Sequence, residues 1–317
     1  MPLDADNLLV LELIRAAGRP PFETLTPNEA RETYAKSRAV LQPDPEDVAE
    51  ARDLAAPGSA GDVLLRLYRP GSAGAGTLPG LIYYHGGGWL LGGLDSHDVI
   101  CRRLANAARC VVVSVDYRMA PEHKFPAAVD DCAAATRWVI ERAATFGIDP
   151  GRVAVGGDSA GGNLAAVMAL MSRDRTLPPV AFQLLVYPAT DMAMTTVSSQ
   201  TITDGVPLTS KTMTWFIDHY MRDAADVIDW RASPARAATL AGAAPALVLT
   251  ASCDPLRDEG VDYARRLERE GVRVAHLHFS DQMHGFVSMG RIIHAADAAL
   301  DMMAAVLRKE LALRPAG

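Results

Sequence analysis

The chain has 317 residues, 49% of them hydrophobic and 22% charged, and carries a net charge of −7. That composition suits a globular protein with a large core, and a negative balance with no Lys/Arg cluster argues against nucleic acid as a partner. The four cysteines, Cys101, Cys110, Cys132 and Cys253, show neither C-x-x-C nor Cys/His metal spacing. Free thiols, buried at the first three, and a reducing cytoplasm are therefore expected.

At the N-terminus, Asp4 and Asp6 stand where a signal peptide carries positive charge. The apolar run Leu8 to Ile14 is broken by Glu12 and is too short to span a bilayer. Neither export nor a membrane anchor is expected. The pattern predicts amphipathic helices over Ala5 to Ala17 and Pro27 to Leu41, divided by Pro20-Pro21. Thr26 as cap, Pro27 in the first helical position and Glu29 as an early acid mark the second start. After a linker from Pro43 to Asp47, strands are expected near Val48 to Leu54 and Val63 to Tyr68, with Pro57-Gly58 turning between them. A Gly/Ala/Ser stretch, Gly71 to Gly76, follows.

From there strands and helices alternate. Strands are expected at Leu81 to Tyr84, Val111 to Val115, Val153 to Gly156, Phe182 to Tyr187, Ala246 to Thr250 and Val272 to Phe279. Helices are expected at Asp98 to Ala108, Ala127 to Phe146, Gly162 to Ser172, Asp258 to Glu270 and Arg291 to Leu311. Short apolar strands separated by helices make a mostly parallel sheet, about eight strands with the first pair, covered on both faces. Between Asp191 and Trp230 the alternation lapses into a polar Thr/Ser segment and an aromatic-rich helix, Lys211 to Met221. This reads as an insertion over the C-terminal edge of the sheet, where open α/β folds bind ligands. The chain thus divides into N-terminal helices (1–45), an α/β core in two parts (46–190 and 231–317), and an insertion (191–230).

The chemistry starts at Gly157-Asp-Ser-Ala-Gly-Gly162, set between a strand and an Ala-rich helix. A serine at such a turn is a nucleophile elbow, its hydroxyl pushed clear of the sheet. Upstream stands His85-Gly86-Gly87-Gly88, whose bare backbone lets N–H groups approach a substrate. Together the two motifs point to a serine hydrolase with Ser159 as nucleophile. A serine hydroxyl needs a base, and the base an orienting acid. In this fold the chain order is nucleophile, acid, histidine, on loops after late strands. Asp254 and His284 meet that requirement. Asp281 is a weaker rival for the acid, and His276, His278 and His294 read as structural or exposed. The oxyanion donors are assigned to the N–H groups of Gly86, Gly87 and Ala160. Trp89, Leu208 and Phe216 are candidates for the substrate pocket, although Trp89 reads equally as a core aromatic. Met213, Trp215, Phe216 and Tyr220 suit either a pocket roof or plain helix packing. Asp158 supports the elbow or faces solvent, and Asp116, Arg118 and Glu122 read as a structural polar network beneath the site in preference to a substrate role.

In combination, His85-Gly-Gly-Gly-Trp89, Asp116-Tyr-Arg-Met-Ala-Pro-Glu-His123, Gly157-Asp-Ser-Ala-Gly-Gly162, Asp254-Pro-Leu-Arg-Asp-Glu259 and His284-Gly-Phe286 resemble the hormone-sensitive-lipase-like carboxylesterases, in the bacterial branch with a G-D-S-A-G-G elbow. The resemblance runs over residues 80 to 290 and departs from the family pattern at Met119 and Lys124. It implies an α/β-hydrolase fold whose helical cap comes from the N-terminus and the insertion. It also implies the triad Ser159, Asp254 and His284, an oxyanion loop at Gly86 and Gly87, and a homodimer formed through the last strand. The expected activity is hydrolysis of short- to medium-chain carboxylic esters through an acyl-enzyme, with no cofactor and no metal. Amide or carbamate hydrolysis by the same triad is the nearest rival. A non-catalytic receptor on this fold is more distant, because His284 stands in its full context.

Overall fold

The computed structural model describes residues 2–71 and 76–312. Most of the Gly/Ala/Ser stretch and the last five residues of the second core segment lie outside the described residues.

One eight-stranded sheet organises the chain, in the order β1-β2-β4-β3-β5-β6-β7-β8. The strands are β1 (Glu50–Gly58), β2 (Gly61–Arg69), β3 (Leu78–Tyr84), β4 (Val111–Asp116), β5 (Ile148–Asp158), β6 (Phe182–Val186), β7 (Ala246–Cys253) and β8 (Val274–Met283). β2 runs antiparallel to β1 and β4, and every other pairing is parallel. Because side chains alternate across a strand, each strand feeds two cores. Ile82, Val113 and Val155 face one layer with α4 (Ala127–Glu141), α5 (Ala160–Arg173) and α8 (Arg257–Arg269). Leu81, Val112 and Ala154 face the other, under α3 (Asp98–Ala108) and α9 (Ala295–Ala312). Covering on both sides explains the unbroken apolar runs in the central strands, such as the buried Val111-Val112-Val113.

Several boundaries shift from expectation for identifiable reasons. Pro57 lies inside β1 opposite Asp62, not in the turn. β1 is an edge strand, where a proline forfeits no ladder bond if its nitrogen faces outward. The helix expected up to Phe146 ends at Glu141 and continues as a separate 3-10 turn over Ala143–Phe146. The last helix starts at Ala295, since His294 is held just ahead of it by Asp6 (Nδ1 to Oδ2 2.8 Å).

The N-terminal segment supplies α1 (Ala5–Ala16) and α2 (Pro27–Leu41). At α2, Thr26 accepts from the Glu29 N–H while Glu29 accepts from the Thr26 N–H, a reciprocal capping box. Arg31 on α2 bonds Glu122 at 2.5 Å and the carbonyls of Leu90 and Ala120. α1 is stitched to the end of β8. The buried Asn7 amide donates to Gln282 Oε1 (2.6 Å), and the Asp4 N–H donates to the Asp281 carbonyl (3.1 Å). The insertion carries a short helix α6 (Val197–Thr201), unforeseen in the polar segment, and the aromatic helix α7 (Ser210–Tyr220). Thr212 on α7 donates to Glu23 (2.7 Å), joining the insertion to the N-terminal segment. No described helix is long and apolar enough to cross a membrane.

Candidate active site

Four loops at the C-terminal ends of parallel strands converge: those after β3, β5, β7 and β8. Ser159 sits between β5 and α5 at φ +57° and ψ −117°, a strained conformation for a residue with a Cβ. Its N–H donates to the Val186 carbonyl at 2.8 Å, and its carbonyl accepts from Asn163 and Ala189, so the bend is held from both sides. The Asn163 side chain, fully buried, donates to the carbonyls of Ala189 and Ala232 and ties the elbow to the base of the insertion.

His284 follows β8 directly. Its Nε2 is 2.9 Å from Ser159 Oγ and its Nδ1 is 2.7 Å from Asp254 Oδ2. Asp254 is fully buried, and its other oxygen accepts the Leu256 N–H at 2.8 Å. The structure therefore brings Ser159, His284 and Asp254 into one hydrogen-bonded line. The rivals lie elsewhere. Asp281 is exposed on β8 and bonds Gln282. His276 and His278 share one face of that edge strand and both bond Thr250 Oγ1.

The glycine loop departs from its assignment at Gly86. The Gly86 N–H is directed inward, donating to Asp158 Oδ1 at 3.1 Å. A Cβ there would lie 2.3 Å from Asp158 Oδ2, so glycine is needed for this close approach, not for substrate access. Among the described residues, the N–H groups of Gly87, Gly88 and Ala160 make no hydrogen bond within the protein. Gly87, at φ +123°, and Gly88 lie on the cavity wall beside Ser159.

Asp158 is buried, which settles its role in favour of support. It accepts from Tyr83 Oη (2.8 Å) and Gly86, and His97 Nε2 lies 3.1 Å from Oδ1. Burial alone would raise this carboxyl, yet His97 and Tyr83 outweigh it and bring the pKa down to about 2. The elbow thus grips the glycine loop through a charged carboxylate. His85 holds the same loop differently, with Nδ1 2.9 Å from the Gly86 carbonyl and its ring stacked on Tyr117. Burial, then the neighbouring His97, lowers its pKa to about 3, so it is neutral at physiological pH.

Asp116, Arg118 and Glu122 do not form one network. Arg118 pairs with the buried Asp131 (2.7 Å), Glu122 pairs with Arg31, and Asp116 lies 3.9 Å from His85 Nε2. Their alternation along an irregular segment turns them in different directions. Trp89, Leu208 and Phe216 all lie on the wall of a cavity of about 500 Å³ that opens at Ser159. Trp89 is also a packing residue, stacked on Tyr220 at 4.6 Å. Residues of α1, α2 and the insertion share that wall. His97, Tyr83, Asn163 and Tyr187 had no signal in the sequence. Tyr187 stands with its ring 4.6 Å from that of His284, and no motif marks it.

Behind the site, Glu259 on α8 accepts from the Thr190 N–H at 2.6 Å and the Asp191 N–H at 3.3 Å, where the insertion departs. Burial raises its pKa to about 8 against an ordinary 4.5, so it is held protonated at neutral pH. A raised acid binds its proton more tightly when folded. Its stabilising contribution is therefore full below pH 4.5 and is lost as pH rises towards about 8. Glu259→Gln keeps the acceptor without the titration, and is expected to flatten this decline by on the order of a few kcal/mol. Denaturant midpoints measured across that range check it. Parallel slopes in the two proteins would remove Glu259 as the cause.

A family model described as alpha/beta hydrolase fold matches residues 81–288. The chain is 43% identical over 285 residues to the carboxylic ester hydrolase LipN of Mycobacterium tuberculosis, covering 87% of this chain and 75% of that one. It is 40% identical to an ethyl acetate hydrolase of Pseudomonas putida, covering 98% and 100%. Among solved structures, an ester-hydrolase from the metagenome of Lake Arreo, complexed with a bipyridine phosphonate derivative, superposes with a TM-score of 0.95 at 42% identity, covering 98% and 100%. A hyperthermophilic esterase from Pyrobaculum calidifontis gives 0.91 at 41%, covering 98% and 99%. Sheet topology, elbow geometry and these matches agree that the chain belongs to the α/β-hydrolase family, among relatives named carboxylic ester hydrolases and esterases.

Proposed function

We propose that this protein is a carboxylesterase acting on short- to medium-chain esters through a Ser159-His284-Asp254 triad. The observation that carries the reading is the continuous line from Ser159 Oγ to His284 to Asp254, at 2.9 and 2.7 Å. Ser159 Oγ attacks the ester carbonyl carbon while His284 Nε2 takes its proton. Asp254 holds Nδ1–H, fixing the tautomer and stabilising the imidazolium. The oxyanion is received by the N–H groups of Gly87, Gly88 and Ala160, the last at the N-terminus of α5 where the helix dipole assists. His284 then protonates the leaving alcohol, leaving an acyl group on Ser159. Water, deprotonated by His284, attacks that acyl group and releases the acid and free serine.

A cavity of about 500 Å³, walled by Trp89, Leu208 and Phe216, favours a modest acyl chain over a long one. The names of the relatives support the same class of reaction. A series of p-nitrophenyl esters of rising chain length tests the reading. An optimum at short to medium acyl chains, with the acyl group trapped on the Ser159 peptide by mass spectrometry after rapid quenching, is expected. An optimum at long emulsified chains, or acyl groups on another residue, would overturn it.

A further inference from the structure

One wall of the cavity carries a charge that the proposed mechanism does not use. Arg38, on the last turn of α2, lines the cavity together with Tyr34, Ser288, Met289 and His284. It is only 8% exposed. Its Nη1 donates to Ser288 Oγ, and its guanidinium lies over the Tyr34 ring, 4.8 Å from the centroid. The Nε–H is buried and has no hydrogen-bond partner among the described residues. Arg38 also makes no ion pair with a described carboxylate. Of the acidic residues on the same wall, Glu23 receives the Thr212 hydroxyl, Asp158 is held by His97 and Tyr83, and Asp204 of the insertion makes no ion pair with Arg38.

An arginine removed from water is ordinarily met by an anion, because its desolvation is costly and its fork of donors matches a carboxylate. Here a hydroxyl takes one of the five guanidinium N–H donors and an aromatic face lies against the plane, while the remaining donors, the buried Nε–H among them, have no partner among the described residues. Arg38 also lies near the reacting groups: its charge opposes the effect of burial on Tyr187, whose ring packs on His284. Arginine is long and flexible on an exposed helix face, but Ser288 and Tyr34 fix this one in place. A fixed, under-partnered guanidinium in an apolar-walled cavity is a built receptor for an acceptor on the substrate.

We propose that Arg38 recognises a carboxylate carried by the substrate, so that the site takes esters bearing an anionic carboxylate in their acyl or their alcohol part. The inference rests on the carboxylesterase reading above and assigns that site a substrate class. Arg38 is a specificity residue here. It takes no part in proton transfer, and the ester bond is broken by the same attack of Ser159 and the same water.

The test compares matched esters by pH-stat. On the acyl side the pair is the monoethyl ester of adipic acid against ethyl hexanoate. On the alcohol side it is the butyrate ester of 3-hydroxypropionic acid against propyl butyrate. The quantity read is the ratio of kcat/KM, anionic over neutral, for each pair. Wild type is expected to favour the carboxylate in at least one pair. Arg38→Met is expected to lower that ratio on the order of ten- to hundredfold, the loss usual for one charged hydrogen-bonding partner, mainly through KM. Arg38→Lys is expected to restore part of it. An unchanged ratio in Arg38→Met for both pairs overturns the proposal. So does a wild type that discriminates against the carboxylate in both, a result that stands even if the variants fail to fold. In either case turnover of the neutral esters leaves the carboxylesterase reading intact. Absence of turnover on every ester defeats both.

Discussion

Ser159→Ala is expected to lower kcat for p-nitrophenyl butyrate by on the order of a millionfold, to a level set by the oxyanion donors and binding alone. The substitution deletes one atom. That atom's hydrogen bond is to His284 Nε2, and the backbone bonds of Ser159 to Val186 and Asn163 stay in place. Alanine must still adopt φ +57°, so the strain of the elbow is carried over unchanged. The folded state should therefore be kept, with a melting temperature near that of wild type. A variant that folds normally and retains more than about one hundredth of the activity would mean that Ser159 is not the nucleophile.

Gly87→Ala is the second large effect expected, and it separates the inward-facing glycine from the outward-facing ones. Gly87 has φ +123°, which side chains rarely adopt, and an added Cβ would sit 2.1 Å from the Leu91 carbonyl oxygen. The loop cannot absorb this in place, because Leu90 and Leu91 both donate to the Gly87 carbonyl. It must move, and the N–H groups of Gly87 and Gly88 move with it. Loss of one oxyanion donor typically costs on the order of 100- to 1000-fold in kcat. Gly87→Ala should lose at least that much, with a much smaller change in KM. The affinity for a phosphonate that mimics the tetrahedral intermediate should fall in parallel. A kcat within about tenfold of wild type in a folded variant would remove this loop from the oxyanion site.

The elements that alternate cleanly in hydropathy were legible in the sequence. The central strands read well because covering on both faces leaves an unbroken apolar run, α5 because it is apolar along its length, and α3 and α8 because one buried face leaves a helical period. Ser159, Asp254 and His284, which the structure brings into one hydrogen-bonded line, could be singled out for a different reason: a proposed triad demands a fixed order on fixed kinds of loop. Gly86 was misread because a glycine that avoids a carboxylate and one that admits a substrate look the same in a string of letters. Only the 3.1 Å bond to Asp158 tells them apart. His97 and Arg38 were invisible because each acts through partners far along the chain, His97 on Asp158 and Arg38 on Ser288. No local period encodes such a pair. Asp116, Arg118 and Glu122 were grouped because they are neighbours in sequence, whereas an irregular backbone sends each to a separate partner.

The stitching of α1 to β8 bears on how the molecule comes to exist. Asn7 and Gln282 are separated by 275 positions, and the strand that carries Gln282 ends one residue before His284. On a ribosome adding about 5–20 residues per second, roughly a quarter of a minute to a minute passes between the appearance of the two. Through that interval the first helix, whose Val10 and Leu11 are buried in the finished fold, lacks its bonds to β8. The same late event that delivers the histidine to the serine also delivers the first helix its seat. Maturation of the hydrolytic site and docking of the N-terminus are thus one step of biosynthesis, and a nascent chain stalled before β8 lacks both.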